Sequence, residues 1–147
     1  MNKTYDTYID NSIKWAMNHL GSTDYCYHCL AFVEDALEIS NNIEIFGGSS
    51  AKESAVAYEA HIHTDIPPKG TFVFYDCLGV IDGEYENWGH VGLCLGDGLI
   101  IHAWDKVRID NYLDVENLSA APGWTAPRFI GWVSLERIMM GFQNKIY

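Results

Sequence analysis

The hydrophobic periodicity of this chain changes at Pro67-Pro68-Lys69-Gly70, and this change limits the folds that are open to it. Before this point apolar residues recur at helical spacing, and after it short β-rich runs are separated by Gly, Asp and Asn. The predicted helices are Thr7 to Leu20, about Cys29 to Ile39 and about Ala51 to Ala60, with a short one at Ser134 to Met140. The predicted strands are Thr71 to Tyr75, His90 to Leu95, Leu99 to Trp104, Val107 to Asn111 and Phe129 to Val133. Helices followed by mostly antiparallel strands indicate an α+β fold, with the N-terminal helices packed on one side of a sheet of about five strands.

The size and charge of the chain limit what it can bind. With 147 residues it is long enough to bury a core as a single domain spanning 1–147, without disulfides or a metal. Its net charge of -11, with only 9 Lys and Arg residues, disfavours nucleic acid and anionic membranes as partners. The sequence contains neither a secretory signal nor an apolar run long enough for a membrane span. The chain is therefore expected to be cytoplasmic as synthesised, with release or injection by a route that needs no signal as the other possibility. We also expect a monomer and no cofactor.

Cys29 opens the second predicted helix, and two histidines, His90 and His102, lie on consecutive predicted strands. A thiol becomes a strong nucleophile as its thiolate, which an adjacent base or the positive end of a helix favours. The order of these elements can supply both. The pattern therefore predicts a Cys-His-His catalytic site, in which the pKa of Cys29 is lowered into the range of about 3.5–7.5 that is typical of activated cysteines.

The two histidines can act together only if they project from the same face of the sheet. We predict a three-residue loop, Gly96-Asp97-Gly98, between their strands. Its register places Gly92 opposite His102, where the missing side chain leaves room for the imidazole. The same register places His90 opposite Trp104, so that both histidines share a face. A two-residue Asp-Gly turn would instead shift the register by one and move His102 to the other face.

The residues around the cysteine and the histidines resemble the NlpC-type papain-like cysteine peptidases of bacterial cell walls, with the CHAP amidases as more distant relatives. In that family an apolar pair follows the nucleophile at three and four residues. Here Phe32-Val33 follows Cys29 at this spacing, which selects Cys29 over Cys26. The base of the family lies in a Gly-His-Val-Gly strand, matched by Gly89 to Gly92, and its third residue is often in a segment like Ile101-His102-Ala103.

This resemblance covers roughly residues 5 to 135 and implies a papain-like NlpC-type fold. It also implies hydrolysis of a peptide or amide bond through a thioacyl intermediate on Cys29, with His90 as the base and His102 as the residue that orients it. The implied substrate is a peptidoglycan stem peptide, cut next to a γ-linked D-glutamyl residue. The backbone amide of Cys29, at a helix N-terminus, is a natural oxyanion donor. Further candidates for contacts with the substrate or its oxyanion are Tyr25, Trp88 and Trp104.

Two departures from the family pattern, and a second reading of the cysteines, leave other functions open. His28-Cys29-Leu30-Ala31 replaces the usual Asp-Cys-Ser-Gly signature, and the segment from Cys77 to Trp88 is long enough to build one wall of a cleft. One alternative is a non-catalytic binding module of the same fold. A second is a thiol-disulfide oxidoreductase, because Cys26 and Cys29 form a C-x-x-C pair at a helix start. A zinc site that adds His61-x-His63 to these cysteines lacks the usual ligand spacing.

Overall fold

The computed structural model describes residues 3–145, which form four α-helices and nine strands. The helices are α1 (Lys3–Met17), α2 (Cys29–Asn41), α3 (Ala51–Ala57) and α4 (Leu135–Ile138), with short 3-10 helices at Ala60–Ile62 and Asp114–Asn117. The strands are β1 (Ile43–Glu44), β2 (Phe72–Asp76), β3 (Leu78–Ile81), β4 (Glu84–Asn87), β5 (His90–Gly96), β6 (Leu99–Ala103), β7 (Val107–Asn111), β8 (Arg128–Val133) and β9 (Gln143–Asn144). No helix among these residues is long and apolar enough to cross a membrane.

Five of the strands form one antiparallel sheet in the order β7-β6-β5-β2-β8. Helices α2 and α3 pack on one face of this sheet, α1 packs on α2, and all three share a single apolar core with the sheet. The inward stripe of α2 is fully buried and consists of Phe32, Val33, Ala36 and Leu37. The strands contribute alternate residues to the same core, among them Phe72, Phe74, Val91 and Leu93. The predicted α+β fold, with N-terminal helices on one side of a five-stranded sheet, is confirmed.

The opposite face of the sheet carries both histidines. A second, smaller core covers it, built from Val73, Tyr75, Cys94, Ile100 and Val115. Tyr75 pairs with His90 across the strands, and the two ring centroids lie 5.8 Å apart. The Tyr75 hydroxyl donates to the carbonyl of Tyr112 at 2.6 Å, which ties the sheet to the segment that covers this face. Because this face is covered, His90 and His102 are buried.

The first and third helices end before the predicted positions. Helix α1 ends at Met17, and the apolar spacing up to Leu20 continues in a tightened turn, in which the Leu20 N–H donates to the Met17 carbonyl at 3.2 Å. Helix α3 ends at Ala57, and a left-handed residue, Glu59, separates it from the 3-10 helix Ala60–Ile62. Apolar residues at helical spacing continue past the ends of both α1 and α3. The periodicity of the sequence therefore predicts helices longer than those present.

The hairpin of β5 and β6 turns differently from the prediction. Gly96, rather than Leu95, pairs with Leu99. The turn therefore has two residues, Asp97 and Gly98, whose φ values of 54° and 75° are those that a type I′ turn requires. The predicted three-residue loop is wrong, because Asp tolerates the left-handed conformation and the Asp-Gly pair alone closes the hairpin.

A β-bulge restores the register that this shorter turn would otherwise have shifted. The bulge is at Leu95, and beyond it Cys94 pairs with Ile100. This is the register that the sequence analysis predicted, and it keeps His90 and His102 on one face of the sheet. The prediction for the two histidines is therefore confirmed, although the turn that was expected to produce it is not the one present.

The segment between β2 and β5 contains a second hairpin, β3–β4, where no secondary structure is predicted from the sequence. Its turn is Asp82-Gly83, again with positive φ at both residues, and its ribbon lies outside the main sheet. The ribbon packs on Trp124 at Gly79, where a Cβ atom would lie 1.9 Å from the indole ring. The Gly79 carbonyl also accepts a hydrogen bond from Trp88 Nε1 at 3.0 Å. Close approach at Gly79 thus fixes the hairpin against Trp124 and Trp88.

Candidate active site

A cavity of about 760 Å³ opens at the N-terminus of α2. The residues singled out from the sequence that line it are Cys29, Trp88, His90 and Trp104. The other two, His102 and Tyr25, do not line it. The structure therefore brings the thiol of Cys29 and the imidazole of His90 to one cavity. The indole of Trp88, just before β5, and the indole of Trp104, just after β6, line the same cavity.

The position of Cys29 follows from a sharp change of chain direction before α2. Tyr27 has a φ of 65°, a left-handed conformation that is uncommon for a residue with a Cβ atom. The N–H of His28 donates to the Tyr25 carbonyl at 2.8 Å, and the His28 carbonyl accepts from the Phe32 N–H at 3.0 Å as the first helical hydrogen bond. Cys29 is thus the first residue of the helix, where backbone N–H groups and the helix dipole favour negative charge.

A chain of hydrogen bonds runs from His90 into the covered face of the sheet. His90 Nε2 lies 2.8 Å from His102 Nδ1, and His102 Nε2 lies 2.8 Å from Asp110 Oδ2. Arg108 binds the same carboxylate through two nitrogens, with Nε 2.8 Å from Oδ2 and Nη2 3.4 Å from Oδ1. The two histidines expected to cooperate are therefore in direct contact, and a carboxylate stands behind the second one.

The charge of Asp110 determines where the protons of both imidazoles lie. Burial alone would raise the pKa of Asp110, but hydrogen bonds from His102 and Arg108 outweigh it and lower this pKa below its usual value. The ionised carboxylate can only accept, so His102 Nε2 carries a proton and His102 Nδ1, when the ring is neutral, has a lone pair. His90 Nε2 then donates to this lone pair. The remaining nitrogen of neutral His90, Nδ1, is left unprotonated and basic.

The pKa of the Cys29 thiol shifts in the direction opposite to the expectation, and the pKa of His90 is shifted as well. Part of Cys29 remains exposed, but desolvation raises the pKa of its thiol to about 11, and backbone groups of Val91, Leu30 and Cys29 itself offset only part of this. Burial, followed by the neighbouring His102, lowers the pKa of His90 well below its usual value. The expected lowering of the Cys29 pKa is therefore corrected: the thiol and the imidazole are both neutral, because desolvation disfavours both charged forms.

The two tryptophans expected at the cleft lie at the cavity with their N–H groups already bonded. The rings of Trp104 and His90 meet edge to face, with centroids 5.2 Å apart. Trp104 Nε1 donates to the Ser119 carbonyl at 3.1 Å, and Trp88 Nε1 donates to the Gly79 carbonyl. Both indoles are thus anchored to backbone and contribute apolar surface to the cavity.

Tyr25 is directed to other partners. Its hydroxyl donates to Asp35 Oδ2 at 2.6 Å, and its ring packs edge to face on Trp15 and Phe32. Burial and then the hydrogen bond to Asp35 raise the pKa of Tyr25 to about 12. The Tyr25 hydroxyl is therefore bonded to the carboxylate of Asp35 on α2, and Tyr25 does not line the cavity.

The other cysteines differ from Cys29 in their surroundings. Cys26 is partly exposed and does not line the cavity, whereas Cys77 is buried, lines it and donates from its thiol to the Thr125 carbonyl at 3.3 Å. Cys94 is buried in the second core. All four cysteines are free thiols. Within residues 3–145, no group of three His, Cys, Asp or Glu side chains is arranged to hold a metal, and this covers the cysteines and His61-x-His63 considered above.

Asp110 is the member of the hydrogen-bonded chain that the sequence analysis did not consider. It lies on β7, where Arg108 pairs with His102 and Asp110 pairs with Ile100. A strand over Val107 to Asn111 was predicted, and alternation places its residues 108 and 110 on one face. Extending the register argument by one strand would have brought Asp110 to the second histidine.

Comparison with known proteins identifies one family. The sequence profile of the NlpC/P60 family matches residues 15–121, which is well over half of the chain. The matched range includes the thiol, both histidines and the carboxylate behind them. No curated protein matches this chain.

Proposed function

Because this chain belongs to the NlpC/P60 family of cell-wall peptidases, we propose that it is a cysteine peptidase that acts on peptidoglycan-derived peptides with Cys29 as the nucleophile. One observation carries the proposal: Cys29 and His90 line the same cavity, and His90 is hydrogen-bonded to His102. A thiol, a base and a residue that orients the base are the minimum that acyl transfer to cysteine requires. The whole of 1–147 is proposed to act as one catalytic domain, and as a monomer.

In the first half of the reaction a neutral pair becomes charged as the bond forms. His90 Nδ1 accepts the proton of Cys29 while Sγ attacks the carbonyl carbon of the scissile amide. The carbonyl oxygen of the tetrahedral intermediate carries the negative charge, and the backbone N–H of Cys29 is the proposed donor to it. His90 then returns its proton to the leaving amine, and the C–N bond breaks to give a thioester on Cys29 and a free amine.

In the second half His90 acts as a base again. Its Nδ1 accepts a proton from a water molecule that attacks the thioester carbonyl, and the C–S bond breaks as the intermediate collapses. His90 returns its proton to the leaving sulfur, which restores the thiol of Cys29, and the carboxylic acid product loses its proton to solvent. His102 keeps the ring of His90 in one tautomer through both halves, and Asp110 does the same for His102. The role of Asp110 is therefore to position, since it touches neither the thiol nor the space for the substrate.

The bond cut follows from the family rather than from any contact in the cavity. By resemblance to NlpC-type peptidases, we propose that the scissile bond is next to a γ-linked D-glutamyl residue of a stem peptide. The oxyanion role first considered for Tyr25 is not part of the proposal, since its hydroxyl is bonded to Asp35. Trp88 and Trp104 are proposed as walls that hold the substrate beside the thiol.

The test uses soluble peptidoglycan fragments, with mass spectrometry of the products. Wild type, Cys29→Ser and Cys26→Ser are incubated with the same fragments. Cys26 is the matched control, because it lies three residues away, is also a free thiol and does not line the cavity. Cleavage by wild type and Cys26→Ser, and none by Cys29→Ser, is the expected result.

The other outcomes separate the remaining functions. Equal loss in both variants would indicate disulfide chemistry of the C-x-x-C pair and would contradict the peptidase. Binding of the fragments without cleavage by any of the three proteins would indicate the binding module. An acyl group trapped on Cys29, seen as a mass increase of the intact protein after rapid acid quenching, would support the thioester route directly.

A further inference from the structure

We propose, on the basis of the function above, that the acyl group which this cavity presents to Cys29 is apolar and uncharged. An apolar wall formed by the β3–β4 hairpin and three indoles would hold it. The wall consists of Val80, Ile81, Trp88, Trp104 and Trp124, all of which line the cavity. This inference deepens the proposed peptidase function, because it concerns which substrates the same site accepts.

The apolar wall is fixed in place by backbone contacts. The Thr125 N–H donates to the Leu78 carbonyl at 2.8 Å, and the Leu78 N–H donates to Thr125 Oγ1 at 3.0 Å. Together with the packing of Gly79 on Trp124, these bonds join the hairpin to the loop before β8. A wall held at several points can select by shape and polarity, because a ligand gains contacts without ordering a loose segment.

The charges around the cavity disfavour an anionic substrate. None of the described residues that line it is Lys or Arg, and the one carboxyl among them is Glu34. Burial, with the nearby Glu38 and Asp35, raises the pKa of Glu34 to about 7, so this site already disfavours one negative charge. A carboxylate on the substrate would enter a space that offers no cation, in a chain with a net charge of -11.

Two cations on elements that border the site are already paired. Lys52 Nζ lies 2.8 Å from Asp76 Oδ1, and Asn87 donates to the same carboxylate oxygen at 2.6 Å. Arg108 is held by Asp110 and Asp105. To bind a substrate carboxylate, either cation would have to leave a carboxylate of the protein.

The mouth of the cavity leaves apolar side chains in contact with solvent. Val80 and Ile81 are 44% and 41% exposed, and Tyr27, which also lines the cavity, is 67% exposed. Apolar surface next to a cavity of this size is typical of a site that a ligand covers. Val80 and Ile81 thus belong both to the apolar wall and to the exposed apolar surface of the cavity, and an apolar acyl group would cover them.

Among peptidoglycan stem peptides, the charge of the group beside the scissile bond should affect the rate of cleavage. A stem peptide whose α-carboxylate beside the scissile bond is converted to a carboxamide is uncharged there. We expect it to be cleaved in preference to the same peptide with a free carboxylate.

The experiment uses p-nitrophenyl esters of acetate, butyrate, hexanoate and octanoate, with release of p-nitrophenol measured against Cys29→Ala. We expect kcat/KM to rise about three- to fourfold for each CH₂ that the wall covers. The monoester of adipate matches hexanoate in length but ends in a carboxylate, and we expect it to react at least about tenfold more slowly.

The apolar wall is tested by Val80→Ser combined with Ile81→Ser, which should flatten the dependence on chain length. Val56→Ser is the matched control, because Val56 is an exposed valine (63%) on α3 that does not line the cavity, and it should keep the wild-type slope. Both variants replace exposed side chains, and thermal unfolding checks that they are folded.

The outcomes distinguish this inference from the function on which it rests. Turnover that depends on Cys29 but is equal for all chain lengths, or for hexanoate and adipate, overturns the inference and leaves the peptidase standing. An unchanged slope in the hairpin double variant overturns the role of the wall. Turnover no greater than that of Cys29→Ala overturns both.

Discussion

Asp110 Oδ2 lies 2.8 Å from His102 Nε2, on the side of the imidazole opposite to His90. Neither residue lines the cavity, yet the pair determines which nitrogen of His90 is basic. The proposed reactivity of Cys29 thus depends on a carboxylate two imidazoles away.

Replacing Asp110 with Asn should lower kcat by about 10- to 100-fold and leave KM nearly unchanged, because the amide no longer enforces one tautomer of His102. Steady-state kinetics on a peptide substrate measure this. Asp105→Asn is the matched control, since Asp105 also binds Arg108 (3.3 Å) but is not bonded to His102. Equal kcat for wild type and Asp110→Asn would show that the carboxylate does not act through His102.

Alkylation of Cys29 by iodoacetamide should be slow at pH 7 and should increase steadily from about pH 8 upwards. The reason is that desolvation raises the pKa of the thiol to about 11, while His90, whose pKa is lowered, carries no positive charge at neutral pH. The measurement is the rate of modification of the peptide that contains Cys29, followed by mass spectrometry across this pH range. A plateau of fast reaction between pH 5 and 8 would instead indicate the ion pair and contradict the neutral resting state.

Stability should decrease as the pH falls below about 6.5, because burial lowers the pKa of both His90 and His102. The unfolded chain takes up protons at these histidines near pH 6.5, whereas the folded chain does so only at lower pH. The contribution of these two histidines to the free energy of unfolding is therefore fully present above pH 6.5. It is lost as the pH falls from 6.5 to their pKa values in the folded protein. The slope is at most about 1.4 kcal/mol per pH unit for each histidine.

Urea unfolding at pH 7.5, 6.5 and 5.5 measures this loss of stability. His102→Gln removes one titrating group and should give a shallower fall than wild type. His61→Gln is the control, because His61 is exposed and should leave the fall unchanged. If the three proteins lose stability in parallel, the buried imidazoles are not the source of the pH dependence.

Gly92→Ala should reduce both stability and activity. A Cβ atom at Gly92 would lie 2.6 Å from Ile100 Cδ1 and 3.1 Å from the Cβ of His102. We expect a cost of about 1–3 kcal/mol in unfolding free energy, together with a lower kcat as His102 is displaced. Adding Ile100→Val removes the nearest atom and should recover part of the stability. A wild-type kcat for Gly92→Ala would show that the space beside His102 is not needed.

The sequence is informative where alternation and spacing decide the structure. The stripe of α2 and the shared face of the two histidines both follow from periodicity, because each is a property of local geometry. The loop between β5 and β6 was predicted wrongly, since Gly96-Asp97-Gly98 is compatible with two turns and the bulge at Leu95 leaves no residue signature. The outcome was right because the bulge and the shorter turn compensate each other.

Other features depend on burial and on contacts distant in the sequence. The direction of the Cys29 pKa shift is set by how completely the fold desolvates the thiol, which spacing cannot reveal. The β3–β4 hairpin carries an Asp82-Gly83 turn signal, but its strands show no alternation that marks a buried face. Its packing depends on Trp124, some forty residues further along the chain.

The bulge at Leu95 has a consequence for how this hairpin can vary in length. Leu95 is one residue more than β5 needs for pairing, and deleting it would leave Gly96 opposite Leu99 and Cys94 opposite Ile100, with His102 still on the face of His90. Deleting a second residue from the strand, with the two-residue turn kept, would shift the pairing by one and turn His102 to the helix side of the sheet. The strand can therefore lose one residue without changing the site, whereas the next single loss disconnects the base from the residue that orients it.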